Sequence, residues 1–110
     1  MDKIKKYESA IIDLLKSYRH PSKVSETNIV TDTHHHHYQV VRVGWPDENT
    51  YLMRVLIYLQ IKPDGKVWLL ENRTENDIAQ ALVERGVEKS DIVLGFHPEY
   101  VRQYTGYAVA

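Results

Sequence analysis

The sequence predicts an α+β fold, an antiparallel sheet of about four strands with an N-terminal helix and C-terminal helices packed against it. Three observations predict it. Apolar residues recur at helical spacing from Ile4 to Tyr18. Tyr51 to Ile61 alternates at a period of two and runs into a Pro-Asp-Gly turn. A second helical stripe lies between Thr74 and Gly86.

The first helix places Ile4, Tyr7, Ile11, Leu14, Leu15 and Tyr18 on one face and Lys5, Lys6, Glu8 and Asp13 on the other. His20-Pro21-Ser22 ends it, because proline disfavours helix at the preceding residue. Ser22 to Asn28 reads as a polar connection, and Ile29-Val30 is compatible with the start of a strand. Tyr38 to Val43 is rich in β-branched residues and reads as a strand, and Gly44 to Asn49 as a turn region. In the long strand Tyr51 to Ile61, alternation puts Met53, Val55, Ile57, Leu59 and Ile61 on one core-facing side. Lys62-Pro63-Asp64-Gly65 turns the chain, since proline presets φ and glycine accepts a positive φ, and Lys66 to Glu71 returns as the hairpin partner. Thr74 is the expected N-cap of the next helix, Ile78, Ala79, Leu82 and Val83 its buried stripe, and Gly86 its C′ residue. A short helix is expected from His97-Pro98-Glu99 to Tyr104, followed by an apolar tail.

The 110 residues form one expected domain, 1–110, of a size that supports a single core. The absence of cysteine excludes disulfides and thiolate metal sites. No apolar run approaches the roughly 20 residues that span a bilayer, and the amino terminus lacks a secretory pattern, so a cytoplasmic protein is expected. Net charge is −1. That argues against tight, direct DNA binding, which rests on a basic excess. A local basic face would draw on Lys3, Lys5, Lys6, Lys16 and Arg19.

Catalytic patterns are sparse. There is no nucleophile elbow, thiol or phosphate-cradling glycine loop. Pro46-Asp47 followed by Asp64-Gly65-Lys66 formally matches a metal-nuclease pattern, but Asp64 and Gly65 fall in a turn rather than beside a buried site. The run His34-His35-His36-His37 is the other chemical oddity. If extended, it places His35 and His37 on one face as two metal ligands, with nothing of ligand spacing to complete the set. We therefore expect no enzyme activity and no cofactor. The densest functional signal is the carboxyl end, where Phe96, His97, Tyr100, Arg102, Gln103 and Tyr104 concentrate residue types enriched at protein interfaces.

The ending Asp91-Ile92-Val93-Leu94-Gly95-Phe96-His97-Pro98, with Val101-Arg102-Gln103-Tyr104-Thr105-Gly106-Tyr107-Ala108-Val109-Ala110, closely resembles the XisI family of fdxN element excision controlling factors. His37-Tyr38-Gln39, Val43-Gly44-Trp45, Lys66-Val67-Trp68 and the helix around Ile78-Ala79 and Leu82-Val83 fit the same pattern, so the likeness covers nearly the whole chain. It departs at His34, His35 and His36. The resemblance implies a cyanobacterial accessory factor in programmed excision of a DNA element during cell differentiation. There a separate recombinase exchanges strands, and the factor works beside a nuclease-like companion, XisH. It carries over no catalytic residue. The expected mode of action is binding to a XisH-like partner, with direct DNA contact and metal binding as alternatives. An exposed strand edge and an apolar tail give routes to a homodimer.

Overall fold

Asp2 starts the first helix by accepting the Ile4 N–H on its carboxylate at 3.1 Å. In the computed structural model, which describes residues 2–20 and 22–110, this helix (α1) spans Lys3–Lys16. Its buried face is Tyr7, Ala10, Ile11, Leu14 and Leu15, the expected stripe with Ala10 added. The Ser17 hydroxyl donates to the Leu14 carbonyl at 2.7 Å and closes the last turn. The helix thus ends before the proline thought to stop it; Pro21 lies outside the described residues.

Five strands follow: β1 (Ser25–Asp32), β2 (His37–Asp47), β3 (Thr50–Ile61), β4 (Val67–Asn72) and β5 (Ile92–Leu94), in the order β1-β2-β3-β4-β5. Neighbours are antiparallel except β4 and β5, which run parallel. Two expectations change here. The polar Ser25–Asn28 stretch is strand rather than connection, paired with β2 from Ser25↔Gly44 to Asp32↔His37. Edge position explains it, because a strand with water on one side needs few apolar residues. The sheet also gains a fifth strand, because α2 (Ile78–Glu84) carries the chain back across the sheet before β5 forms.

The region assigned to a turn is shorter than expected. β2 continues through Gly44 and Pro46, and the reversal is confined to Glu48-Asn49 between the paired Asp47 and Thr50. Gly44 is needed by close approach: a Cβ there would lie 2.3 Å from the Val24 carbonyl oxygen and 2.4 Å from Ser25 Cα. The next hairpin turns as expected, with Gly65 at φ 87° and its N–H donating to the Lys62 carbonyl at 2.8 Å.

The N-cap of α2 is Asp77, not Thr74; its carboxylate accepts the Gln80 N–H at 3.0 Å. Thr74 instead bonds to Asn72 and accepts the Asn76 N–H, and these local side-chain turns delay the helix. Gly86 closes it as foreseen, with φ 98° and the Val87 N–H donating to the Leu82 carbonyl.

α1 and α2 cover one face of the sheet, their apolar residues meeting Tyr38, Val40, Ile57, Leu59, Ile61, Val67, Leu69 and Ile92 in one core. The β3 alternation is broken within this layer. Val40 pairs with Ile57 but Val41 pairs with Val55, so Leu56 is an extra residue. Such a bulge reverses which face the remaining side chains use. Ile57, Leu59 and Ile61 are buried as expected, whereas Met53 is 58% exposed on the outer face, opposite Val43. Tyr51 and Val55 share that face.

Two buried tyrosines lock α1 in place. Tyr7 donates to Asp91 Oδ2 at 2.6 Å, and Tyr38 donates to Glu8 Oε2. Burial, reinforced by the Asp91 bond, pushes the Tyr7 phenol up to about 12. Burial and then Glu8 raise Tyr38 as well.

Candidate functional site

The carboxyl-terminal segment leaves β5 at Gly95, whose N–H donates to the Leu69 carbonyl at 2.8 Å. A Cβ at Gly95 would come within 2.9 Å of Trp68 and Leu70, so the segment crosses tight against the outer face of β4. Pro98 begins the single helical turn α3 (Glu99–Arg102). The chain then turns back, and the Ala108 N–H donates to the Ile92 carbonyl at 2.8 Å, making a parallel bridge beside Val93. One sheet edge is thereby covered.

Arg102 holds this arrangement together. Its Nε donates to the His97 carbonyl at 3.0 Å and its Nη1 to the Val109 carbonyl at 3.2 Å. The guanidinium lies 5.1 Å from the Trp68 ring centroid. One side chain therefore ties both ends of the segment to the sheet through charge-assisted bonds and a cation–π contact. Lys62 approaches the same ring at 5.2 Å. Tyr107 packs against the core, and burial, with Asp77 nearby, raises its phenol.

The six expected interface residues divide into two groups. Tyr100 is 73% and Tyr104 82% exposed, Phe96 is open to solvent with its ring 4.5 Å from that of His97, and Gln103 is exposed. Arg102 points inward as the clamp, and His97 contributes its carbonyl to it. The structure thus presents Phe96, Tyr100 and Tyr104 on a buttressed platform. No sequence signal marked Arg102's task, because its contact with Trp68 joins residues far apart in the chain.

The histidine run is not extended. His34 to His36 form the turn between β1 and β2, with His36 in the left-handed region at φ 62°. The backbone N–H groups of His34 and His35 each donate to Asp32 Oδ1 at 3.0 Å, and His35 Nδ1 lies 2.9 Å from Asp32 Oδ2. These bonds, the His35 N–H foremost, hold the Asp32 carboxyl down at about 2. His37 Nδ1 instead meets the Tyr58 hydroxyl at 2.8 Å, so His35 and His37 are aimed at different partners. Among the described residues, no three histidines or carboxylates are grouped to hold a metal ion.

The basic side chains of α1 are interrupted. Lys3 pairs with Asp91 at 3.4 Å, and Lys5 and Lys16 share their surface with Glu8 and Asp13. Asp13 in turn binds Arg85 at 3.1 Å.

A profile described as XisI protein matches residues 1–109. The chain belongs to the XisI family. Two solved structures from Anabaena variabilis ATCC 29413 share its fold. A XisI-like protein is 39% identical with a TM-score of 0.89, over 97% of this chain and 99% of that one. The fdxN element excision controlling factor XisI is 30% identical with a TM-score of 0.83, over 99% of this chain and 100% of that one. No curated protein matches. The family match therefore spans the buttressed carboxyl end as well as the sheet. Among the described residues, no helix is long and apolar enough to cross a membrane.

Proposed function

We propose that this chain is an excision controlling factor of the XisI kind, and that it acts by binding a XisH-like companion protein rather than by chemistry of its own. The observation that carries the binding mode is the platform of Phe96, Tyr100 and Tyr104, three solvent-facing aromatics on a segment that Arg102 ties to the sheet. Exposed aromatics on a rigid support lose little entropy on binding and supply most of the energy at protein interfaces. The full-length likeness to a solved excision controlling factor supports the biological setting, in which the chain works in the cytoplasm of a cyanobacterial cell.

Co-expression with the XisH-like protein tests this reading. The two should co-purify, and Tyr100→Ala with Tyr104→Ala should weaken the complex by at least ~10-fold while the far-ultraviolet spectrum is unchanged. A complex of undiminished affinity would place the partner elsewhere.

A further inference from the structure

β4 pairs with β3 only from Ile57 to Ile61, and the Arg73 N–H ends the contact on the Leu56 carbonyl at 2.7 Å. From Tyr51 to Val55, β3 is paired with β2 on one side. Its other side borders an open notch of about 650 Å³, whose lining includes Met53, Arg54, Val55, Tyr58, Leu70 and Arg73. Among the described residues, two stretches of sheet edge are therefore left open: β1 outside Thr27, which exchanges backbone bonds with His20, and this part of β3. Unpaired edges accept further strands unless charge or covering prevents it. β1 carries Glu26 and Asp32. The β3 stretch carries only Arg54, on the face opposite Tyr51, Met53 and Val55.

That stretch is complementary to itself. An antiparallel copy centred on Met53 sets Met53 against its own equivalent, Tyr51 against Val55 of the copy, and Leu52 against Arg54 of the copy. No like charges then face each other across the new pair. The acidic hairpin tip of the copy, Asp47 and Glu48, arrives at the end of β4. Arg73 stands there, paired with Glu71 at 2.8 Å, close to Arg54, which has no ion-pair partner among the described residues. The length also fits, since the open run is bounded by the end of β4 on one side and by the chain's own Glu48-Asn49 turn on the other.

We propose that the Tyr51–Val55 edge of β3 binds a second copy of this chain, antiparallel and centred on Met53, giving a twofold dimer with one sheet continuous through both β3 strands. Light scattering on the full chain should return twice the 12.9 kDa chain mass. Met53→Lys sets like charges together on the axis and should raise the dissociation constant ~100-fold. Met53→Asp should do the same, and mixing the two variants should restore the dimer. The chain has no cysteine, so Met53→Cys offers a single thiol. Directly opposed residues in an antiparallel pair lie about 4.5–5.5 Å apart at Cα, within disulfide reach, so oxidation should yield a covalent dimer. This readout decides the case even if a charged variant misfolds. A monomer at chain concentrations up to about 1 mM, a dimer untouched by Met53→Lys, or cross-linking through Val30→Cys on β1 but not through Met53→Cys would overturn the proposal.

Discussion

At the β4–β5 end of the outer sheet face, Trp68 lies beneath Arg102 and the carboxyl-terminal segment. At the β2–β3 end, Trp45 and Tyr51 meet with ring centroids 5.2 Å apart and planes tilted by 55°, with solvent over them. Both ends present a tryptophan on a strand. The difference is made by a segment about thirty residues further on, which reaches one end and not the other. A covered aromatic contributes to folding; a bare one is left for association.

Substitution of the two tryptophans is the sharpest test of that contrast. Trp68→Ala should cost about 3 kcal/mol in urea unfolding, because it removes packing under the segment and the seat of a cation. Trp45→Ala should change folding stability by no more than about 0.5 kcal/mol. Equal costs would break the comparison.

The arginines give the next largest effect. Arg102→Ala should destabilise by about 2 kcal/mol through the loss of two charge-assisted bonds and the ring contact. Arg54 faces Arg42 directly across the β2–β3 pair. Arg54→Ala should therefore be neutral or slightly stabilising, by up to about 0.5 kcal/mol, in thermal melts.

High pH probes the helix-covered face, where Tyr7 is buried. A tyrosine whose folded value is raised above its ordinary 10 contributes stability that is complete below pH 10. That contribution is lost as pH rises through the folded value, about 12 for Tyr7. Stability should therefore decline from pH 10 upward, and Tyr7→Phe should reduce the slope.

The smallest effect belongs to the histidine turn. The lowered Asp32 carboxyl contributes above pH 3.8 and is lost as pH falls through about 2. Asp32→Ala should open the turn, seen as faster amide exchange at His34 and His35, with little change in global stability. Intact protection there would remove Asp32 as the anchor.

Legibility followed the range of the interactions. α1, the Lys62–Gly65 turn and the Gly86 cap depend on neighbours a few residues away, and their residues declared them. The platform aromatics were also visible, as a cluster of interface-type side chains. The Thr74 cap failed even at short range, because Asn72 and Asn76 compete for the same hydroxyl.

By itself the sequence determined the α+β class, the helix-covered core, the hairpin at Gly65 and, through its carboxyl-terminal motif, the family. Tertiary structure alone decided that a polar segment becomes β1, that Leu56 bulges and turns Met53 outward, that β5 runs parallel to β4, and that Arg102 clamps rather than protrudes. The reason is physical. Helix periodicity and turn chemistry are written in adjacent residues, whereas strand register, face and cation–π partners depend on segments that meet only after the chain has closed long loops.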